Sequence, residues 1–423
     1  MSVYLETQNR LELLFKEFDN IYVSFSGGKD SGVLLNLCID YIRQNKLDRK
    51  IGVFHLDYEA QYTYTTEYVN KTLAENSDIL EVYRCCVPFK VTTCTSMYES
   101  YWRPWEQDKK DIWVSELPEK CYTETNFGFY KPNMWDYEFQ EKFSQWIHKK
   151  NNAKKTACLV GIRTQESLNR WRAIHSDRNY KNYKGINWTK KMYENVFNAY
   201  PIYDWITEDI WTANGKFGWA YNKLYDVYYQ SGLSIEQMRV ASPFLSTAQD
   251  SLKLYRIIEP RTWGKLIGRV NGVNFTGLYG GTTAMGWRDI KLPKGHSWKT
   301  YMEFLLSTLP EHSAMNYKKK LQTSIEFWKT KGGVLSVELI EKLKELNIPI
   351  EVKETTNYKT IKKPVTMDYL DDIDITEFTE IPTYKRMCIC IMKNDHLCKY
   401  MGFSLTKNEM QLRKQAETKY KNI

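Results

Sequence analysis

The stretch Ile21-Tyr22-Val23-Ser24-Phe25-Ser26-Gly27-Gly28-Lys29-Asp30-Ser31-Gly32-Val33-Leu34-Leu35 decides the fold. Ile21 to Phe25 reads as a short buried strand, Ser26 to Ser31 as a glycine loop, and Gly32 to Arg43 as an apolar helix carrying Val33, Leu34, Leu37 and Ile42. Ahead of it, Thr7 to Phe18 sets Leu11, Leu14, Phe15 and Phe18 on one helical stripe; behind it, Ile51 to Leu56 reads as a second strand. A strand–loop–helix–strand order predicts an α/β fold with a parallel sheet that takes its ligands at the carboxyl ends of the strands.

The loop has the chemistry of an anion cradle. Gly27 and Gly28 permit positive φ and let backbone N–H groups approach an anion with no Cβ in the way. The next helix aims its positive end at the same point. Lys29 adds a cation, Ser26 and Ser31 add hydroxyls, and Asp30 is expected to accept loop N–H bonds or to help place Mg²⁺. The spacing is not that of the Walker A loop, which has four residues between its first glycine and Gly-Lys.

Working outward, Thr65 to Glu75 reads as a helix, Ile79 to Cys86 as a strand and Thr156 to Ile162 as another. Tyr101 to Lys150 breaks the alternation and reads as an aromatic-rich insertion over the ligand edge. Tyr180 to Tyr193 reads as an irregular basic arm, and Ile206 to Trp211 and Tyr221 to Ser231 as short helices. From about Pro243 helical patterns dominate: Ala248 to Ile258, Trp298 to Thr308, Tyr317 to Lys329, Ser336 to Leu346, Thr383 to Asp395 and Leu405 to Lys421. This places a nucleotide-binding domain at 1–243, with the insertion at about 101–150, and a mostly helical domain at 244–423.

Aromatic residues make up 15% of the chain, which suits either core packing or stacking on a nucleobase. The net charge of +9 suits an anionic ligand and permits a nucleic-acid partner, for which Lys181 to Lys191, with Tyr180, Tyr183 and Trp188 interleaved, is the candidate contact. No run of about 18 apolar residues predicts a membrane span. Nine scattered cysteines and a polar first ten residues point to reduced thiols in a cytoplasmic protein rather than a disulfide framework.

Four segments together resemble the phosphoadenosine phosphosulfate (PAPS) reductase family, within the PP-loop ATP pyrophosphatase superfamily. They are Ser26-Gly27-Gly28-Lys29-Asp30-Ser31; His55-Leu56-Asp57-Tyr58-Glu59-Ala60-Gln61-Tyr62; Gly161-Ile162-Arg163-Thr164-Gln165-Glu166-Ser167 with Arg170; and Tyr200-Pro201-Ile202-Tyr203-Asp204-Trp205 with Glu208-Asp209-Ile210-Trp211. The resemblance implies an adenine nucleotide alpha hydrolase-like domain that binds ATP, PAPS or adenylyl sulfate. Asp57 and Glu59 follow a strand and are expected at ribose hydroxyls or, for Asp57, at Mg²⁺; Arg163 is expected at a phosphate or sulfate. With Lys29, Asp57 and Arg163 form the expected catalytic set, and Gly161, Glu166 and Arg170 complete the binding set; Glu166 and Arg170 also have the i, i+4 spacing of a helical ion pair. Asp204-Trp205 reads as structural, the indole packing and the carboxylate capping the next helix.

The chain departs from the family at its thiols. It has no Glu-Cys-Gly-Leu-His segment, and Cys85-Cys86 is not followed by any Cys-x-x-Cys, so no iron–sulfur cluster is expected. Tyr279-Gly280-Gly281, Leu292 to Tyr301 and Arg386-Met387-Cys388 with Lys393-Asn394-Asp395 resemble the uncharacterised domain fused to PAPS-reductase-like domains in a bacterial and phage subfamily. That subfamily includes immunoglobulin-binding regulators and proteins named as PAPS sulfurtransferases, and it implies a ParB-like protein partner. Cys388, Cys390, His396 and Cys398 admit a zinc site, although a helix there would turn Cys388 and Cys390 apart; buried core cysteines are the reading preferred. The functions left open are adenylyl or phosphosulfate transfer, a nucleotide-sensing regulator without turnover, and nucleic-acid modification through an adenylylated intermediate.

Overall fold

Strand β1 (Asn20–Ser24) forms where four consecutive side chains are buried, as expected of a strand covered on both faces. Its neighbours are β2 (Ile51–Leu56) and β6 (Thr156–Val160), both parallel to it, with Tyr22 opposite Gly52 and Cys158. The computed structural model describes residues 2–96, 98–166, 170–171, 174, 182–238, 240, 242–245, 248–279, 290, 292–353 and 362–403. Ser167, Tyr180, Lys181, Gly280, Gly281 and the expected helix from Leu405 to Lys421 lie outside the described residues.

The first compact unit comprises Met1–Thr92 and Tyr101–Asn271. Its elements run α1 (Val3–Glu17), β1, α2 (Lys29–Gln44), β2, α3 (Thr63–Glu75), β3 (Leu80–Cys85), β4 (Val91–Thr92), β5 (Tyr101–Trp102), α4 (Asp136–Lys150), β6, β7 (Thr189–Tyr193), β8 (Val196–Ala199), α5 (Thr207–Phe217), α6 (Leu224–Gln230), α7 (Gln249–Ile258) and α8 (Pro260–Arg269). Six strands make one sheet in the order β3-β2-β1-β6-β8-β7, parallel except for the edge strand β7. The chain winds outward from β1 to β3, then returns to the other side of β1 at β6. The crevice between the carboxyl ends of β1 and β6 is therefore the topological switch point, where such sheets bind ligands.

The two faces of the sheet are covered differently. On one, Leu11 and Leu14 of α1 and Val33 and Leu37 of α2 close on Ile21 and Val23, with Ile202, Trp205 and Ile210 in the same core. On the other lies α4, whose Phe139, Phe143 and Ile147 recur every fourth residue and are fully buried. Phe143 stacks on Phe54 at 4.1 Å and meets Tyr22 edge-on at 5.6 Å. The segment expected as an insertion over the ligand edge thus ends in a helix that builds the core, and much of its aromatic content is packing.

The basic arm expected at Tyr180 to Tyr193 is, in its described part, a single turn followed by β7 paired to β8 through Thr189 opposite Ala199. Tyr183 and Trp188 are buried, and Lys184 pairs with Glu17 at 2.9 Å, so the interleaved aromatics serve the core. Lys190 and Lys191 remain exposed on the edge strand, where lysines discourage strand pairing.

The second unit comprises Thr93–Ser100 and Gly272–Ile423. It holds α9 (Val273–Tyr279), α10 (Trp298–Ser307), α11 (Glu311–Glu326), β9 (Gly333–Leu335), α12 (Val337–Glu345), β10 (Ile350–Val352), β11 (Lys363–Met367) and α13 (Tyr384–Met392). Trp298, Met302, Tyr317, Leu321, Met387 and Ile391 form one core of α10, α11 and α13. A three-stranded antiparallel sheet in the order β10-β11-β9 packs Leu335, Val365 and Met367 on Leu339 and Leu343 of α12. It escapes the sequence because strands of three to five residues are too short for a period to register. A Cβ at Gly333 would overlap the Trp328 ring, so glycine is what admits β9 there.

Replacing Phe143 by Ala should lower unfolding stability by about 3–5 kcal/mol, the usual cost of emptying a large aromatic site in a closed core. Urea denaturation followed by circular dichroism would read it.

Candidate functional site

Two loops meet at the switch point. Gly27, at φ +76°, lies in the left-handed region, and a Cβ there would come within 2.9 Å of Val69 Cγ2. Its carbonyl accepts from Asn222 Nδ2 at 3.0 Å, and the same amide donates to Thr65 Oγ1 at 3.0 Å. The two serines bond to the loop itself. Ser31 Oγ donates to Gly28 O at 3.1 Å, accepts from Ser26 N–H at 3.2 Å and lies 3.1 Å from Ser26 Oγ. Gly28 N–H points to Ser26 Oγ at 3.4 Å, and Lys29 N–H donates to the Tyr225 hydroxyl at 3.1 Å. From the β6 side Gly161 presses on the loop so closely that a Cβ would lie 3.0 Å from Asp30 C and Ser31 N.

The charges form a chain across the crevice. Lys29 Nζ meets Asp30 Oδ2 at 2.9 Å, and Arg163 Nε meets Asp30 Oδ1 at 2.5 Å. Asp30 therefore bridges two cations. Arg163 is only 2% exposed; its remaining nitrogens reach Gln165 Oε1 at 3.0 Å and Glu166 Oε1 at 3.7 Å. The Arg163–Glu166 contact is a buried one, and Glu166 pairs in turn with Arg170 at the expected i, i+4 spacing. Beside this chain lies a cavity of about 250 Å³ lined by Lys29, Arg163, Gln165, Glu166, Thr207 and Glu208, with Ile235 and Met238.

Asp57 and Glu59 face elsewhere. Asp57 Oδ2 takes Arg84 through Nε at 2.8 Å and Nη2 at 2.6 Å, while Oδ1 accepts Glu59 N–H at 2.9 Å. Glu59 is buried at φ +65° and its carboxylate receives four N–H donors. Arg269 supplies two, Nε at 2.8 Å and Nη2 at 3.0 Å; Trp105 and Val114 supply backbone N–H groups at 2.6 and 3.0 Å. Neither carboxylate lines the cavity beside Lys29. In this structure both side chains hold the loop after β2. Asp204 does not cap α5 either. It forms a two-pronged pair with Arg10 at 2.7 and 2.6 Å, and Asp209 bonds Ile206 N–H in its place. Trp205 packs as expected, its indole N–H donating to Thr7 Oγ1 at 2.9 Å.

The second unit separates the Cys and His residues read as admitting zinc. Cys388 points at Trp298 O at 3.5 Å, and Cys390 turns to Asp395 Oδ2 at 3.8 Å and to Cys398. His396 reaches Ser96 O at 3.2 Å. Residues two apart on a helix differ by about 200°, so Cys388 and Cys390 cannot share a ligand. Burial pushes the Cys390 thiol well up and the His396 imidazole down. Among the described residues no three His, Cys, Asp or Glu side chains gather as a metal site.

Sequence reading missed Arg84, Tyr225, Asn222 and Arg269. A charge inside a buried strand marks Arg84; nothing local marks the other three. It also passed over Cys121. Cys121 is hydrogen-bonded to Cys86, which lowers its thiol below the usual range, while burial pushes Cys85 up. Among the cysteines, Cys121 alone is half-buried and the others are buried.

Residues 20–232 match the model of the phosphoadenosine phosphosulfate reductase domain, and residues 232–412 match a domain of unknown function (DUF3440). The uncharacterised protein YbdN of Escherichia coli (strain K12) is 31% identical over 414 residues, 97% of this chain and 92% of the relative. Among solved structures, the PAPS reductase of Candida auris in its phosphate complex is 15% identical, with 52% of this chain and 84% of that one aligned at a TM-score of 0.30. The FMN adenylyltransferase of Candida glabrata is 16% identical, with 53% and 57% aligned at a TM-score of 0.31.

Two outcomes test the site's scaffold. Arg269→Leu strands Glu59 as an unpaired buried charge and should lower stability by about 3–5 kcal/mol in chemical denaturation. Iodoacetamide under native conditions should modify Cys121 well before any other cysteine, as read by peptide mass spectrometry.

Proposed function

This chain belongs to the phosphoadenosine phosphosulfate reductase domain family, and we propose that it binds an adenine nucleotide, ATP or a sulfonucleotide, at the Ser26–Ser31 loop and transfers its adenylyl or phosphosulfate group. The observation that carries this reading is the Lys29–Asp30–Arg163 chain at the switch point. It sets two cations beside a cavity at the positive end of α2.

In this reading Lys29 exchanges Asp30 for a phosphate oxygen and meets the charge that develops on the leaving group. Arg163 keeps Asp30 in place and lines the cavity. Gly161 admits the loop, and Glu166 and Arg170 fix the outer rim. The chain lacks the reductase's cysteine segment, which favours adenylyl transfer. An acceptor oxygen would attack the α-phosphorus, the bond to the β-phosphate oxygen would break, pyrophosphate would leave, and the acceptor would lose its proton to solvent. Asp30 and Asp57 are each held by cations in this structure, and no step is routed through Mg²⁺.

Thermal unfolding with ATP, adenylyl sulfate or PAPS tests the reading. A ligand at about 100 times its Kd adds about 2.7 kcal/mol. Lys29→Ala should abolish the shift with little change in the free protein, whereas Arg163→Ala should also destabilise the free protein, because it empties a buried site and cuts the tie between α2 and the loop after β6. An undiminished shift in Lys29→Ala overturns the proposal. A shift with ATP but no pyrophosphate release would make the chain a nucleotide sensor.

A further inference from the structure

A second cavity, of about 340 Å³, lies against the first and is lined by Trp211, Tyr221, Tyr225, Asp226, Tyr229 and Gln230, with Ile235 and Met238 shared between the two. Its walls are aromatic and already oriented. Trp211 meets Tyr221 edge-on at 5.3 Å and Tyr225 edge-on at 5.5 Å. Tyr225 stands between the cavities, its ring in one wall and its hydroxyl on the Lys29 N–H at 3.1 Å. Tyr229, which lines the same cavity, is 72% exposed, so a ring entering from solvent reaches it first.

We propose that this cavity is the subsite for the second reactant, and that this reactant carries a neutral, flat heteroaromatic ring. The inference rests on the reading of the neighbouring loop as the nucleotide's phosphate site. The volume is at the small end of ligand pockets, which begin at about 300 Å³, and suits one fused ring system. Aromatic walls also attract cations, but the charge here is already answered. Asp226 accepts the Tyr221 hydroxyl at 2.9 and 3.0 Å and pairs with Lys223 at 3.3 Å, and the Lys223 ammonium sits 3.9 Å over the Tyr221 ring. A cationic ligand would have to displace it. A neutral ring stacks without that penalty, and Gln230 offers an amide to its edge. A group seated here is one side chain, Tyr225, away from the loop, so an oxygen borne on it can approach a phosphorus held beside Lys29.

Saturation-transfer NMR on the full chain, using quinoline as the neutral probe and tetramethylammonium as the cationic one, tests the assignment with and without saturating ATP. Quinoline should bind in both conditions, more tightly than tetramethylammonium. Tyr229→Ala and Trp211→Leu should each weaken it about tenfold, equivalent to about 1.4 kcal/mol, while the ATP-induced thermal shift persists in Tyr229→Ala. Loss of quinoline when ATP saturates would make the cavity part of the nucleotide's own site and overturn the proposal. Preference for tetramethylammonium, or quinoline binding indifferent to both substitutions, would overturn it as well. Failure of the nucleotide reading shows separately, as an ATP shift that survives Lys29→Ala.

Discussion

The buried pair of Glu59 with Arg269 is the constraint on which the first unit's ligand edge depends. Both side chains are sealed from solvent, at 0% and 1% exposure, so each charge is tolerable only while the other is present. The carboxylate also takes the backbone N–H groups of Trp105 and Val114. One side chain therefore ties the loop after β2 to the irregular segment after β5 and to the end of α8. A charge pair of this kind adds little net stability over a well-packed apolar pair, but its geometry is specific. It admits one arrangement of three segments that are far apart in the chain.

A second pair performs the same service across the crevice. Asp30 holds the first turn of α2 to Arg163 from the loop after β6, and Gly161 lets the two backbones approach. The sheet order makes this necessary. With β1 and β6 adjacent but more than a hundred residues apart, their carboxyl ends are linked by no short loop. A charge-assisted contact does what covalent continuity cannot. The consequence is that Lys29 and Arg163 are held beside each other by one shared carboxylate.

The aromatic residues divide along the same lines. Those on α4 and β2 close the face of the sheet opposite α1 and α2, and those on α5 and α6 line an open cavity next to the loop. Composition alone permits both uses. What separates them is whether a covering layer exists: Phe143 has one, Tyr229 does not.

By itself the sequence determined the elements and the loop. Ile21 to Phe25, the double glycine and the stripe of Val33, Leu34 and Leu37 specify a strand, a turn and a helix through interactions a few residues long, and those survive in β1, Gly27 and α2. Family resemblance through Arg163 and Asp204-Trp205 was legible for the same reason, since motifs are local. Tertiary structure alone decided which charges pair with one another. Asp57 and Glu59 look like site carboxylates until Arg84 and Arg269 are brought to them, the latter from 210 residues away. Asp204 looks like a cap until Arg10 arrives from 194 residues away. Local periodicity carries no information about a partner at that separation. Burial and charge pairing are properties of the closed fold, so whether a carboxylate is already held by a cation is decided only there.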